Sequence, residues 1–139
     1  MTKLLAALFF SVLFSGVCLA AATPVSADDV AHRLVAMSGG QDVAADDPRV
    51  AQTRKLLDKA VKLTQEEPMA IAAACSRYVG HLHDSAHIEA TPMELLEALA
   101  SFAKAGKSMR DTLQEYAAAR KAAPARSHAG AMALLAKNK

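Results

Sequence analysis

The chain has 139 residues, 53% of them hydrophobic, and a net charge of +2 at pH 7. That apolar content is too high for a disordered chain, and the charge is too small for a dedicated nucleic-acid binder, so no specific nucleic-acid partner is expected. Aromatic residues are only 4% with no Trp, which removes the usual packing residues of a β-sandwich or barrel, while 32 alanines, the best helix formers, point to an all-α fold.

Residues 1–27 have the layout of a secretory signal peptide. Lys3 supplies the positive start, Leu4 to Leu19 is an apolar run, and Val25-Ser26-Ala27 has the small-x-small form of a cleavage site. Cuts after Ala20, Ala21 or Ala22 satisfy the same rule. The run is shorter than the ~20 residues of a membrane span, and no other candidate follows, so no transmembrane segment is expected after signal removal. The alternatives are an uncleaved anchor and a lipoprotein acylated at Cys18, although Val17 is not the small residue that usually precedes such a cysteine. The expected location is periplasmic or secreted. A cut after Ala27 leaves Cys75 as the sole cysteine, so no internal disulfide forms and helix packing must carry the stability.

Residues 28–122 are expected to form one small bundle of four to five short helices. In the first, Asp28 or Asp29 is the expected cap, Val30, Leu34 and Met37 share a face, and Gly39-Gly40 ends it. Asp47-Pro48 opens the second, pairing a good N-cap with a proline at the first helical position, and Val50, Leu56, Leu57, Ala60 and Val61 form its apolar side. Thr64-Gln65-Glu66-Glu67 reads as a capping box for the third. Ile71, Cys75, Tyr78 and Leu82 lie in a narrow arc of this helix, which is expected to be central, with Cys75 packed as a small hydrophobe. Thr91-Pro92-Met93-Glu94 is a second capping box, followed by Leu95, Leu96, Leu99, Phe102 and Ala103, with Gly106 as the stop. Ser108 starts the fifth helix, with Met109, Leu113, Tyr116 and Ala117 inward. Residues 123–139 are expected to be a basic tail, either a short helix through Met132 and Leu135 or a frayed end. From Arg120 onward there are cations and no acid, against an acidic start rich in Asp.

The one concentration of reactive side chains is His81, His83, Asp84 and His87, close after Cys75. On a helix His83 and His87 are i, i+4 neighbours and could share a zinc or copper ion, with Asp84 or His81 completing the set. All three histidines converge only if the helix ends near residue 83. The competing reading is a polar helix end, where histidine interacts with the dipole and free carbonyls. Five methionines scattered one per helix at apolar positions read as core filling rather than a Cu(I) thioether site. No cofactor is expected beyond a possible Zn or Cu.

Leu56-Leu57-x-x-Ala60, followed by Cys75-x-x-Tyr78-Val79 and Asp84, resembles periplasmic helical immunity proteins that neutralise type VI secreted amidases. The resemblance implies a signal peptide, a cysteine–aromatic–aspartate helix and a toxin enzyme as partner. That family carries paired cysteines, and this chain departs from it there. Cys75 with a nearby histidine could in principle form a nucleophile–base pair, but nothing beside them supplies an orienting group or an oxyanion hole, so the expected function is non-catalytic: an exported helical protein that binds a partner protein. The alternatives are a periplasmic Zn/Cu-binding protein and an immunity-type inhibitor.

Overall fold

The computed structural model describes residues 25–41 and 43–138, so most of the signal-like segment, residues 1–24, lies outside the described residues. The described residues form six α-helices and no sheet: α1 (Ala27–Gly39), α2 (Pro48–Thr64), α3 (Pro68–Ala86), α4 (Pro92–Phe102), α5 (Met109–Ala122) and α6 (His128–Lys137). A 3-10 turn, Pro124–Arg126, joins the last two. The helix count therefore exceeds the expected four to five, because the 123–139 segment is largely a helix packed on the bundle.

Most boundaries follow from local chemistry. Asp47 caps α2 by accepting from the Arg49 backbone N–H, with Pro48 in the first turn. Thr91 and Glu94 form the expected capping box of α4, and Ser108 caps α5. Two starts differ from expectation. The cap of α1 is Ser26, not Asp28 or Asp29, and Asp29 instead completes a capping box with it. The Thr64 box does not form. Thr64 is the last residue of α2, and its hydroxyl bonds back to the Ala60 carbonyl at 2.9 Å. Pro68 explains this. A helix starting at Thr64 would need an amide hydrogen at residue 68 and helical backbone at Glu67, and proline disfavours both. At the first position of α3 the same ring is tolerated.

The main core gathers Leu34, Leu57, Ile71, Cys75, Leu82, Leu95, Leu96, Leu99, Leu113 and Tyr116. A smaller cluster of Ala31, Val35, Val43 and Val50 seals the α1–α2 end. The central element is α4 rather than α3, since it packs on α1, α2, α3, α5 and α6. Its buried residues, Pro92, Leu95, Leu96, Ala98, Leu99 and Ala100, run round most of its circumference, whereas Arg77, His81, His83 and Asp84 of α3 are exposed. A helix buried on most sides must be apolar on most sides, and α4 carries charge only at Glu94 and Glu97. Truncating Leu95 or Leu99 to Ala should cost about 2–5 kcal/mol. No helix among the described residues is long and apolar enough to cross a membrane.

The turn between α5 and α6 is strained. Ala125 and Arg126 both have φ of 50°, and neither is glycine. A left-handed residue with a Cβ costs roughly 1–2 kcal/mol. The turn holds because Arg126 Nη1 donates to the Ala86 carbonyl at 2.6 Å and the Ser127 N–H donates to the Pro124 carbonyl at 3.2 Å.

Candidate functional site

The histidine segment occupies the last turns of α3, which runs on to Ala86. The helix therefore does not end near residue 83, and His81 lies about 200° round the axis from His83. His81 makes an edge contact with Tyr78, ring centroids 6.0 Å apart. His83 and His87 are brought together, their rings 6.5 Å apart, with His83 Nδ1 3.0 Å from Glu89 Oε1. His87 is the C-cap in the left-handed region, and its N–H donates to the His83 carbonyl at 2.8 Å. Asp84 is exposed. Among the described residues no group of three or more His, Cys, Asp or Glu side chains is gathered as a metal site would require. The observed pair, capped by backbone bonds, has the geometry of a polar helix end.

Cys75 is fully buried on the apolar arc of α3, and burial pushes its thiol up to about 12. It stays protonated at neutral pH and packs as a hydrophobe, which makes it inert as a nucleophile. The methionines divide. Met93, Met109 and Met132 are partly buried against the core, as expected. Met37 and Met69 are not core residues, being 57% and 40% exposed. Met37 shares a helical stripe with Val30 and Leu34, but no element covers the far end of that stripe.

A polar chain, buried at Arg120 and Tyr116 and reaching the surface at Glu97, links α4, α5 and α6, and it was not foreseen from the sequence. Arg120, read from sequence as part of the basic end, is only 5% exposed. Its Nη2 donates to the Glu89 carbonyl at 2.9 Å, and its Nη1 donates to the Tyr116 hydroxyl at 3.1 Å and pairs with Glu94 Oε2 at 3.3 Å. The Tyr116 hydroxyl lies 2.9 Å from His128 Nδ1, and His128 Nε2 lies 3.2 Å from Glu97 Oε2. One neutral tautomer satisfies the links through His128: Tyr116 donates to Nδ1, and Nε2–H donates to Glu97. Burial, the largest cause, raises the Tyr116 hydroxyl to about 12, so it remains a protonated donor. Arg120 Nε is buried with no hydrogen-bond partner among the described residues. The available sequence signal was periodicity. Leu113, Tyr116, Ala117 and Arg120 all fall on the inward face of α5. This arrangement ties three helices together and leaves no ionised nucleophile.

Two surface depressions differ in character: the smaller is apolar, and the larger is mixed, lined by Lys104, Lys107 and Glu115 beside its apolar residues. Between α1 and α3 lies a pocket of about 190 Å³ lined by Arg33, Leu34, Met37, Met69, Ala72 and Ala73, among others. A wider groove of about 630 Å³ runs over α5, between Phe102 and Lys104 on one side and Leu134 and Leu135 on the other.

Fold and site together define a small all-α helical domain whose most apolar exposed feature, among the described residues, is the α1–α3 face. No family model, curated protein or solved structure matches the chain.

Proposed function

We propose that this is an exported, non-catalytic protein that binds a partner protein through its α1–α3 face. One observation carries the reading. Of the three exposed large hydrophobic residues among the described ones, Val25, Met37 and Met69, two line the same pocket. Burying methionine in the partner's surface gains the transfer free energy that exposure forgoes, and its unbranched thioether adapts to an irregular surface. A volume of about 190 Å³ suits one leucine- or phenylalanine-sized anchor, the unit from which most interface energy comes. Arg33 at the rim favours an acidic residue beside that anchor. The resemblance of the Leu56–Asp84 region to periplasmic immunity proteins supports a secreted toxin enzyme as the partner class, and the Lys3–Ala27 segment supports export.

The test is site-specific photo-cross-linking in cells that make the protein. A photoreactive residue at 37 or 69 should give a single adduct of defined mass, and the same residue at exposed Lys59 on α2 should not. Met37→Glu with Met69→Glu should weaken partner binding by tenfold or more, about 1.4 kcal/mol, without changing the fold. Equal adducts from all three positions would count against this face.

A further inference from the structure

The connection from α5 to α6 and the surface under α6 have properties that bear on assembly. Pro124 holds the preceding Ala123 in an extended conformation, φ −68° and ψ 146°. Ala125 and Arg126 then reverse the chain by both taking φ of 50°. If those two residues became extended, their strain would vanish and α6 would swing off its own bundle. A short connection under strain favours exchange of the element it carries.

The surface that α6 would vacate is shaped for α6. Ala131 is fully buried on it, and Met132, Leu134 and Leu135 pack against the core. Gly130 comes so close to the end of α5 that a Cβ there would lie 3.1 Å from Ala123 Cβ. His128 supplies the directional part by bridging Tyr116 of α5 and Glu97 of α4. An identical helix from another molecule makes the same contacts with these residues. Only the bonds of the turn are given up, chiefly Arg126 to the Ala86 carbonyl.

We infer that two copies of this chain exchange α6, each helix seating on the α4–α5 surface of the other molecule. The exchanged dimer keeps the His128 bridge and the burial of Ala131, and it relieves the left-handed pair. Because association is bimolecular, the dimer gains on the monomer as concentration rises.

The experiment uses complementary charge changes. Glu97→Lys in one full chain and His128→Glu in another each spoil the bridge within their own molecule. In a mixed dimer both bridges return. The lysine introduced on α4 of one chain meets the glutamate introduced on α6 of the other, and the unaltered Glu97 meets the unaltered His128. Native mass spectrometry of the mixture should show the mixed dimer in excess over either homodimer. Separately, Ala125→Gly relieves strain in the closed turn and keeps the Arg126 bond to the Ala86 carbonyl. It should lower the parent's dimerisation constant tenfold or more, on the scale of about 1–2 kcal/mol for one left-handed residue in each chain. A parent that runs as a monomer at every concentration overturns the inference, as does a dimer fraction that Ala125→Gly leaves unchanged.

Discussion

Arg120 and Tyr116 stand one helical turn apart on α5, and the guanidinium Nη1 lies 3.1 Å from the phenolic oxygen inside the protein. The pair joins an ion pair to Glu94 on one side with His128 on the other. Tyr116→Phe removes one hydroxyl, leaving His128 Nδ1 without its partner and Arg120 Nη1 with Glu94 alone, so it should cost about 1–3 kcal/mol. Arg120→Ala strips the charge from beside Glu94 and opens space in the core. It should cost more, about 3–5 kcal/mol, with Arg120→Met less severe because the stem packing survives. Urea unfolding of both singles and the double measures their coupling, which should differ from zero by more than about 0.5 kcal/mol.

Stability should fall at alkaline pH. Burial raises the Cys75 thiol from 9.0 and the Tyr116 hydroxyl from 10.0, each to about 12. Between the unfolded and folded values the unfolded chain has lost protons that the native state keeps. Its free energy therefore drops relative to the native state as pH rises. The contribution is intact below pH 9 and declines from there towards pH 12. Melting temperature followed over that range should fall less steeply in Cys75→Ala and in Tyr116→Phe than in the parent, once each is referred to its own neutral-pH value. Native Cys75 should also react slowly with a thiol reagent at neutral pH and quickly in urea.

What could be read from the sequence divides by the range of the interactions. The starts of α2, α4 and α5 were legible because Asp47, Thr91 and Ser108 satisfy backbone groups two or three residues away. The burial of Cys75 was legible from the arc it shares with Ile71 and Leu82. The role of Arg120 was not, because the carbonyl it needs belongs to Glu89, 31 residues earlier. The same holds for α6. Its bridge from His128 to Glu97 also spans 31 residues, so local propensity left helix and frayed tail undecided. Met37 fits the apolar stripe of α1 by spacing, and only the packing shows that nothing covers it. The four-residue histidine set failed to converge for a local reason: α3 runs past His83 to Ala86 and turns His81 away.

The N-cap of α1 bears on where a cut in the signal-like segment would leave the helix intact. Ser26 Oγ accepts from the Asp29 N–H at 3.1 Å, Asp29 Oδ2 accepts from the Ser26 N–H at 3.3 Å, and the Ser26 carbonyl accepts from the Val30 N–H at 3.1 Å. A cut after Ala27 removes all three bonds and sets a positive α-amino group at the positive end of the helix dipole. A cut after Ala22 keeps them. The chain starting at Asp28 should therefore be less stable than the one starting at Thr23 by about 1 kcal/mol, and Ser26→Ala in the longer chain should reproduce most of the loss. Urea midpoints of the three proteins decide this. N-terminal sequencing of exported protein is expected to begin upstream of Ser26, and a start at Asp28 would show that the cap is dispensable.

Zinc should bind weakly, through His83 and His87 alone. Those two are the only members of the predicted set that the fold brings together, and Glu89 already occupies His83 Nδ1 at 3.0 Å. A structural zinc site takes four protein ligands, and a pair without further donors leaves most of the coordination shell to water. Ligation also requires neutral imidazoles, so whatever affinity exists falls as pH is lowered. Added zinc raises the melting temperature only when its concentration exceeds the dissociation constant. At one equivalent, then, the melting curve should not move, and the metal should be lost on dialysis. His83→Ala should abolish the residual binding, while His81→Ala and His32→Ala should leave it intact. One zinc per chain retained through dialysis, and lost in both His81→Ala and His83→Ala, would mean that the end of α3 unwinds to bring in His81. The metal-binding reading would then displace the polar helix end.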